Sequence, residues 1–164
     1  MNKELLKWGE DGEKAVMEVI LESYDNTIVY ALFESGNNSA PLMHCSKELD
    51  KIVAPDLFVF KGKQLCYIEC KRKHQWVEWD GILQTGINTR NWHSYKKLHE
   101  LTGVNFRLMF IHQDSGSLGD DGVYLVNINE APFREWKGGG EVFWKLEQMK
   151  KWSYSDILLK KLKA

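Results

Sequence analysis

The sequence lacks any long run of apolar residues. No stretch approaches the roughly 18 residues that a membrane-spanning helix requires. The first eight residues, Met1 to Trp8, also lack the apolar segment that is typical of a signal peptide. Together these two absences predict an intracellular, cytoplasmic protein that has no membrane partner.

Cysteine is scarce, with only Cys45, Cys66 and Cys70 in 164 residues. An odd number argues against a framework of disulfide bonds. Cys66 and Cys70 lie four residues apart in an apolar strand pattern, without the second pair of ligands that a zinc site needs. We therefore predict buried thiols there, and we attribute the neighbours His44 and Cys45 to a loop and not to a metal site.

The sequence also has no excess of charge of one sign. Lysine and arginine number 22 against 23 aspartates and glutamates, which gives a formal net charge of −1. A near-neutral chain has no overall electrostatic attraction for DNA. Basic residues are nevertheless clustered in the run from Lys71 to His74, and again in a lysine-rich C-terminus that we interpret as solvated surface.

A length of 164 residues is enough for one domain with a single core. Apolar spacing predicts a helix over Leu5–Leu21 and a longer one over Trp79–Leu101, with Gly103 suited to its left-handed cap. Strand patterns are the segments Thr27–Phe33, Asp56–Phe60, Leu65–Lys71, Asn105–Ile111 and Val123–Ile128, and Lys61-Gly62-Lys63 is a tight turn. Gly36–Ser39 is predicted to be a loop, and the stretch from there to Asp50 is ambiguous.

The C-terminal region is less clearly patterned. The glycine run Gly138–Gly140 is the best candidate for a boundary, because it precedes a basic and aromatic tail. Within that tail Val142, Trp144 and Leu146 alternate as in a strand, whereas Phe143, Leu146 and Met149 fit a helix. Residues Ser155–Lys163 are predicted to be helical.

The second strand of the predicted hairpin carries unusual charges. Side chains alternate across a strand, so Glu69 and Lys71 share one face while Cys66, Ile68 and Cys70 point to the other. Burying an unpaired carboxylate or ammonium is costly, and a bound cation would relieve that cost. Asp56 opens the neighbouring strand and can reach Glu69, since cross-strand neighbours are about 5 Å apart.

Two clustered carboxylates are held ionised by a cation, and oxygen ligands of this kind suit Mg²⁺ or Mn²⁺. The backbone carbonyl of Cys70 is well placed to be a further ligand. A metal ion at this point lowers the pKa of a bound water and stabilises charge on a phosphate. Lys71 can orient that water, help to deprotonate it, and stabilise the developing negative charge.

These residues carry a family resemblance. Pro55-Asp56, followed after twelve residues by Glu69-Cys70-Lys71, resembles the PD-(D/E)XK nuclease superfamily, which includes restriction endonucleases, Holliday junction resolvases and phage exonucleases. The resemblance extends over Lys7–Ile128 as an α-β-β-β-α-β order. It implies a restriction-endonuclease-like α/β core, a mixed sheet flanked by helices, over residues 1–130, with residues 131–164 as an extension packed on the same domain.

The resemblance also implies an activity, which is Mg²⁺-dependent hydrolysis of DNA phosphodiester bonds by a metal-activated water. Members often place another acidic metal ligand on the first helix, where we prefer Glu13 to Glu10. Some carry a glutamine on the helix after the lysine strand, where Gln84 is preferred to Tyr95. The implied partner is DNA, and the implied origin is bacterial or phage. Cutting both strands usually needs two sites, so a homodimer is also expected. Exonuclease and endonuclease activity are not distinguished.

Basic and aromatic residues continue beyond the lysine strand. Such residues suit contact with phosphates and stacking on bases. The nucleic-acid-binding residues predicted on this ground are Arg72, Lys73, Trp76, Arg90 and Lys96.

Several alternatives stay open. Glu69 and Lys71 could form only a surface salt bridge on an edge strand, and Glu13 could be a solvated residue of the first helical turns. The chain could also be a catalytically inactive DNA-binding or assembly protein on the nuclease fold. A further possibility is an interaction protein that uses the tryptophan-rich region from Phe133 to Trp152.

Overall fold

The computed structural model describes residues 3–32, 42–44, 51–116 and 118–163. The predicted loop Gly36–Ser39 and the thiol of Cys45 lie outside these residues. The helices are α1 (Lys3–Ser23), α2 (Thr89–Thr102) and α3 (Ser155–Lys163), with a short 3₁₀ helix at Leu146–Gln148. None of these described helices combines the length and the apolar character needed to cross a bilayer.

The strands are short and are numbered in chain order. They are β1 (Thr27–Ala31), β2 (Leu42–His44), β3 (Lys51–Val53), β4 (Leu57–Lys61), β5 (Gln64–Lys73), β6 (Val77–Trp79), β7 (Ile82–Asn88), β8 (Asn105–His112), β9 (Gly122–Asn127), β10 (Arg134–Trp136), β11 (Glu141–Lys145) and β12 (Lys150–Lys151).

The central feature is a six-stranded mixed sheet in the order β1-β4-β5-β8-β9-β12. Strands β5 and β8 are parallel, and the other neighbouring pairs are antiparallel. A parallel pair needs a long crossover, and here α2 lies within it. The order α1, β1, β4, β5, α2, β8 is the predicted α-β-β-β-α-β core, so the restriction-endonuclease-like fold is confirmed.

Each face of this sheet is covered by a separate hydrophobic cluster. On one face α1 contributes the predicted apolar positions Ala15, Val16, Val19 and Ile20, all buried against side chains that include Ile68 and Cys70. On the other face α2 contributes Tyr95 and Leu98, which pack with Phe106, Phe110 and Trp144. The middle of β5 is therefore buried on both faces, as its apolar residues predict.

The predicted helix Trp79–Leu101 is wrong in its first half. Residues Val77–Trp79 and Ile82–Asn88 form a hairpin instead, and α2 begins only at Thr89. Asp80 and Gly81 make the two-residue connection with φ values of 54° and 73°. Positive φ at both central residues is the type I′ turn that favours Asp-Gly, a signal present in the sequence.

The second half of that helix is as predicted. The side chain of Asn88 caps its first turn by accepting a hydrogen bond from the Arg90 amide at 2.8 Å. Gly103 ends it in the left-handed conformation with φ of 67°, and its amide donates to the His99 carbonyl. The cap fixes where α2 starts, and hence which α2 side chains can reach the centre of the molecule.

The C-terminal region adds strands to the six-stranded sheet and to a second, four-stranded sheet. Strand β11 pairs with β7 in a four-stranded sheet of order β10-β11-β7-β6, and β12 pairs with β9 at the edge of the large sheet. The tail segment that fitted either a strand or a helix begins as a strand, because Val142 and Trp144 enter the core. It continues into the 3₁₀ helix. Helix α3 has the predicted bounds.

Residues Gly138–Gly140 lie in the connection between β10 and β11. A division of the chain near residue 130 stays a prediction.

His112 gives this fold a distinctive dependence on pH. Its ring is fully buried, stacks on Trp76 at a centroid distance of 3.8 Å, and has no hydrogen-bond partner for either nitrogen within the described residues. Burial, and then the charge of Lys73, lower the pKa of His112 from 6.5 to about 4. Because the unfolded chain binds the proton more readily, this group should destabilise the fold as the pH falls from about 6.5 to 4, by about 2 to 3 kcal/mol.

Urea unfolding at pH 7 and at pH 4.5 tests this expectation. The variant His112→Phe keeps an aromatic ring on Trp76 but cannot titrate, so it should lose less stability than the wild type between the two pH values. Equal losses in the two proteins would show that His112 is protonated as easily in the folded protein as in the unfolded chain.

Candidate active site

A pocket of about 230 Å³ opens where α1, the start of β4, the middle of β5 and the first turns of α2 meet. Apolar and acidic side chains share its wall, and one lysine joins them. Its lining residues are Leu5, Leu6, Gly9, Glu10, Glu13, Leu32, Ala54, Pro55, Asp56, Glu69, Lys71, Asn91 and Tyr95. The structure thus brings together four of the predicted site side chains, Asp56, Glu69, Lys71 and Glu13.

Asp56 is held by the end of the β4–β5 ladder. The last pair of that ladder is Leu57 with Ile68, so the amide of Cys70 lies beyond it. The Oδ2 atom of Asp56 accepts a hydrogen bond from this amide at 2.7 Å. The N–H and C=O of one residue in a strand point to the same side, so the Cys70 carbonyl is directed toward the Asp56 edge of β5.

Glu69 and Lys71 form an ion pair on the wall of the pocket that β5 supplies. They share one face of β5, as alternation predicts, and the Lys71 ammonium lies against Oε1 of Glu69. The side chain of Glu69 is only 2% exposed, whereas that of Lys71 is 32% exposed. The interpretation as a salt bridge on an exposed edge strand is therefore wrong, because β5 lies between β4 and β8.

The charges in the pocket shift one another's proton affinity. Burial raises the pKa of Asp56 well above its usual value, and the negative charges of Glu69 and Glu13 raise it further. Lys71 and the Cys70 amide oppose that shift only in part. Burial alone would lower the pKa of Lys71, but Glu69, Asp56 and Glu13 together raise it above its usual value. The site is therefore short of positive charge.

The donor set fits a hard divalent cation in its chemistry. Oε2 of Glu69 is buried and finds no hydrogen-bond partner in the described part of the chain, while the charged form of Asp56 is disfavoured first by burial and then by its acidic neighbours. An ion among these oxygens would give Oε2 of Glu69 a partner and would neutralise the charge of Asp56. Within residues 3–32, 42–44, 51–116 and 118–163, however, no three His, Cys, Asp or Glu side chains converge closely enough to ligate one ion by themselves.

Comparisons with known proteins concern the fold alone. A solved structure of Hjc, a Holliday junction resolvase from the archaeal hyperthermophile Archaeoglobus fulgidus, is similar with a TM-score of 0.49 and 10% sequence identity. The similarity covers 82% of this chain and 88% of that chain. No family model matches the sequence, and no curated protein sequence matches it.

Tyr95 lies in the pocket although the sequence favoured Gln84. Tyr95 is buried on α2, its ring stacks on Phe106 at 4.9 Å, and it lines the site together with Asn91 one helical turn earlier. Burial raises its pKa, and the charge of Glu69 and a hydrogen bond to that carboxylate raise it further. The four-residue spacing of Asn91 and Tyr95 was the available signal, since such a pair shares one face of a helix.

Gln84 is not brought to the pocket. It lies on β7, paired with Val77 and Lys145, and not on a helix as predicted. The side chain is fully buried, and neither its oxygen nor its nitrogen has a hydrogen-bond partner in the described residues. Gln84 is not among the residues that line the pocket, so its position gives no support to a role at the site.

The predicted nucleic-acid-binding residues are dispersed. Trp76 is 3% exposed, with its ring on His112 and its Nε1 donating to the Asp120 carbonyl, so its predicted role in base stacking is wrong. Arg72 donates to Gln113 and to the Trp8 carbonyl, and its guanidinium lies over the Trp8 ring, which ties it to the fold.

The other three are better placed to meet a ligand. Arg90 is exposed in the first turn of α2, and Lys73 is half-buried at the end of β5. Lys96 is half-buried, with its ammonium 5.5 Å from the centre of the Trp92 ring. Contact of these three residues with nucleic acid stays a prediction.

Proposed function

We propose that the chain is a divalent-metal-dependent nuclease that hydrolyses phosphodiester bonds of DNA. The observation that carries this proposal is the meeting of Asp56, Glu69 and Lys71 in one pocket, with the acidic groups crowded together and one carboxylate oxygen unsatisfied. A structural ion pair alone does not need a second and third carboxylate in the same cavity. Phosphodiester hydrolysis needs such a combination of cation ligands beside a positive side chain.

Asp56 and Glu69 would hold the metal ion, with the Cys70 carbonyl and Glu13 as further oxygen donors. Mg²⁺ and Mn²⁺ fit because they accept one or two carboxylates and keep several waters. When bound, such an ion supplies an acidified water and neutralises charge on the phosphate. The small number of side-chain ligands brought together here agrees with a site in which water and phosphate complete the coordination.

Lys71 acts as a donor in this proposal. Its pKa is raised, so the ammonium keeps its proton at neutral pH and is poorly suited to remove one from water. It can orient the attacking water by a hydrogen bond and stabilise negative charge as it develops on the phosphate. The suggested role of Lys71 in deprotonating the water is accordingly not part of the proposal.

Apolar side chains line the pocket beside these charges. Leu5, Leu6 and Leu32 join Ala54 and Pro55 around the acidic centre. Electrostatic stabilisation is stronger where water is excluded, so this lining should increase the effect of Lys71 on charge at the phosphate. Cutting both strands of a duplex usually needs two such sites, and we therefore include a homodimer in the proposal.

Purified protein incubated with linear, nicked and branched DNA tests the proposal. Cleavage is expected with Mg²⁺ or Mn²⁺ and not with EDTA. In the absence of DNA, Mn²⁺ should raise the melting temperature of the wild type, because it binds the folded state alone. Asp56→Asn should lose both cleavage and this stabilisation by Mn²⁺.

A matched control is Asp25→Asn, since Asp25 is an exposed aspartate in the turn after α1. It should behave as the wild type in both measurements. DNA binding without any metal-dependent cleavage would reject the proposal and favour a catalytically inactive protein on the same fold. Cleavage that persists in Asp56→Asn would remove Asp56 from the site.

A further inference from the structure

Trp136 differs from the other tryptophans in what covers its ring. It is 47% exposed, the largest value among the large aromatic side chains of β6 and β10. Within the described residues no aromatic ring stacks on it and no cation lies over it. Trp79, which is 43% exposed on the same small sheet, has the Arg134 guanidinium 4.1 Å above its ring.

The ring of Trp136 is supported by a turn without side chains. A Cβ on Gly139 would lie 2.3 Å from its Cε3 atom, and one on Gly138 would lie 3.1 Å from its Nε1 atom. The amides of Gly139 and Gly140 both donate to the Trp136 carbonyl, at 3.1 and 2.9 Å. The glycines thus let the indole lie directly on the backbone, which holds it in place while it stays accessible.

This turn is attached to the helix that lines the pocket. The Gly140 carbonyl accepts a hydrogen bond from the Thr89 amide, the first residue of α2, at 2.7 Å. Trp136 pairs with Glu141, and Glu141 pairs with Asn88, the N-cap of α2. Neighbouring strands are about 4.8 Å apart, so the Trp136 backbone is about 10 Å from that of Asn88.

A second link joins Trp136 to the strand of the active site. Glu141 is close enough to Lys73 to raise its pKa, against the larger effects of burial and of Lys71. Lys73 follows Lys71 on the same face of β5. Glu141, the strand partner of Trp136, is therefore close to Lys73 on β5 as well as paired with Asn88 on β7. Lys73 lies two residues beyond Lys71 of the pocket.

We infer that Trp136 is a stacking surface for an unpaired base of the nucleic acid whose backbone enters the pocket. This inference rests on the proposed function and names a substrate feature, a single-stranded segment next to the scissile phosphate. An exposed indole offers a π-face to any base, and stacking of this kind tolerates every sequence. Bases inside a duplex are already stacked on one another, so an interior base pair cannot use the surface without unpairing.

The charges near Trp136 agree with stacking and not with a phosphate-binding patch. Arg134 is paired with Asp80 at 3.7 Å, and Lys137 and Lys73 are matched in number by Glu135 and Glu141, so the local net charge is close to zero. Contact there would depend on the aromatic face, while Lys71 in the pocket attracts the phosphate even without a bound cation. Trp136 thereby replaces the buried Trp76 as the aromatic contact that the sequence suggested.

Binding of single-stranded oligothymidine and of a blunt duplex, both measured in EDTA so that nothing is cleaved, tests the inference. Trp136→Ala should weaken binding of the single strand by about tenfold and leave duplex binding unchanged. Trp136→Phe should recover most of the loss, because phenylalanine also stacks. A single strand carrying 2-aminopurine should be quenched on binding to the wild type and much less on binding to Trp136→Ala.

Trp79→Ala is the matched control, since it removes an equally exposed tryptophan whose ring is already covered by Arg134. It should leave single-strand affinity as in the wild type. Unchanged affinity in Trp136→Ala, or equal weakening for single strand and duplex, would overturn the stacking role. If the wild type binds single strands through Trp136 but never cleaves DNA with Mn²⁺, the nuclease proposal fails and the stacking surface remains.

Discussion

Replacing Lys71 with methionine should reduce DNA cleavage on the order of a thousandfold. Methionine keeps much of the length of the side chain and removes its charge. Loss of one donor that stabilises a developing negative charge typically costs a hundredfold to a thousandfold in rate, and loss of the group that positions the water adds to it. Single-turnover cleavage with saturating Mn²⁺ measures this effect without the influence of product release.

The same substitution should destabilise the metal-free protein. Lys71 is the cation that faces Glu69, a carboxylate that is 2% exposed and has one oxygen without a partner. Removing one member of such a pair leaves an uncompensated buried charge, which costs roughly 3 kcal/mol or more. Urea unfolding in EDTA should show this loss, and Mn²⁺ should restore much of it, because the metal ion would pair with Glu69 in place of the ammonium.

The double variant Glu69→Gln, Lys71→Met separates the two effects. It removes the orphaned charge, so its stability in EDTA should exceed that of Lys71→Met, while cleavage should stay at least about a thousandfold below that of the wild type in both. Lys63→Met, in the exposed turn between β4 and β5, is the control for loss of a lysine and should match the wild type. If Lys71→Met is as stable as the wild type in EDTA, or if Mn²⁺ stabilises it no more than the wild type, the electrostatic account of the pocket is wrong.

The acidic centre could be predicted because it depends on local rules. Alternation along β5 places Glu69 and Lys71 on one face, and the tight turn at Gly62 brings the start of β4 opposite the middle of β5. These two rules fix the positions of three side chains within one hairpin. The order of elements adds α1 beside them, which is why Glu13 also lies in the pocket.

The contribution of α2 could not be predicted in the same way. Leu83 and Ile87 are spaced by four residues, which fits a helix, but Leu83, Thr85 and Ile87 also alternate as in a strand. The strand prevails because β7 pairs on both sides, with β6 and with β11, and β11 comes much later in the sequence. The start of α2 moves from Trp79 to Thr89 as a result, and Tyr95 takes the place in the pocket that had been predicted for Gln84.

Burial of individual tryptophans is a further property that local patterns do not fix. Trp76 and Trp136 have similar sequence surroundings. Each follows charged or polar residues, and each has a basic residue within three positions. Trp76 is covered because the loop after β8 closes over it, with the Asp120 carbonyl accepting from its Nε1. Trp136 stays exposed because the glycine turn supplies no side chain to cover it.

Gly86→Ala should have the largest effect on stability of any single-methyl addition in the small sheet. A Cβ at this position would lie 2.1 Å from the Val142 carbonyl oxygen and 2.8 Å from Cδ1 of Phe143. The oxygen belongs to the backbone of β11, which pairs with β7 at Gly86, so it cannot move aside without breaking that ladder. Overpacking of a core usually costs 1 to 3 kcal/mol, and a clash with paired backbone should reach about 3 kcal/mol or more.

The effect should extend to the active site. Strand β7 leads directly into α2, and Gly140 on the connection to β11 accepts a hydrogen bond from Thr89. Moving β7 away from β11 should therefore displace Asn91 and Tyr95 relative to Glu69, and cleavage should fall in the fraction of protein that is still folded. Gly9→Ala is the matched control for stability, because no atom lies within 4 Å of its added Cβ and alanine favours the helix by about 0.5 to 1 kcal/mol. Urea unfolding of the two variants should thus give changes of opposite sign. A Gly86→Ala protein whose free energy of unfolding is within about 1 kcal/mol of the wild type would show that β7 and β11 can separate at little cost. In that case α2 would be positioned by its contacts with the large sheet instead.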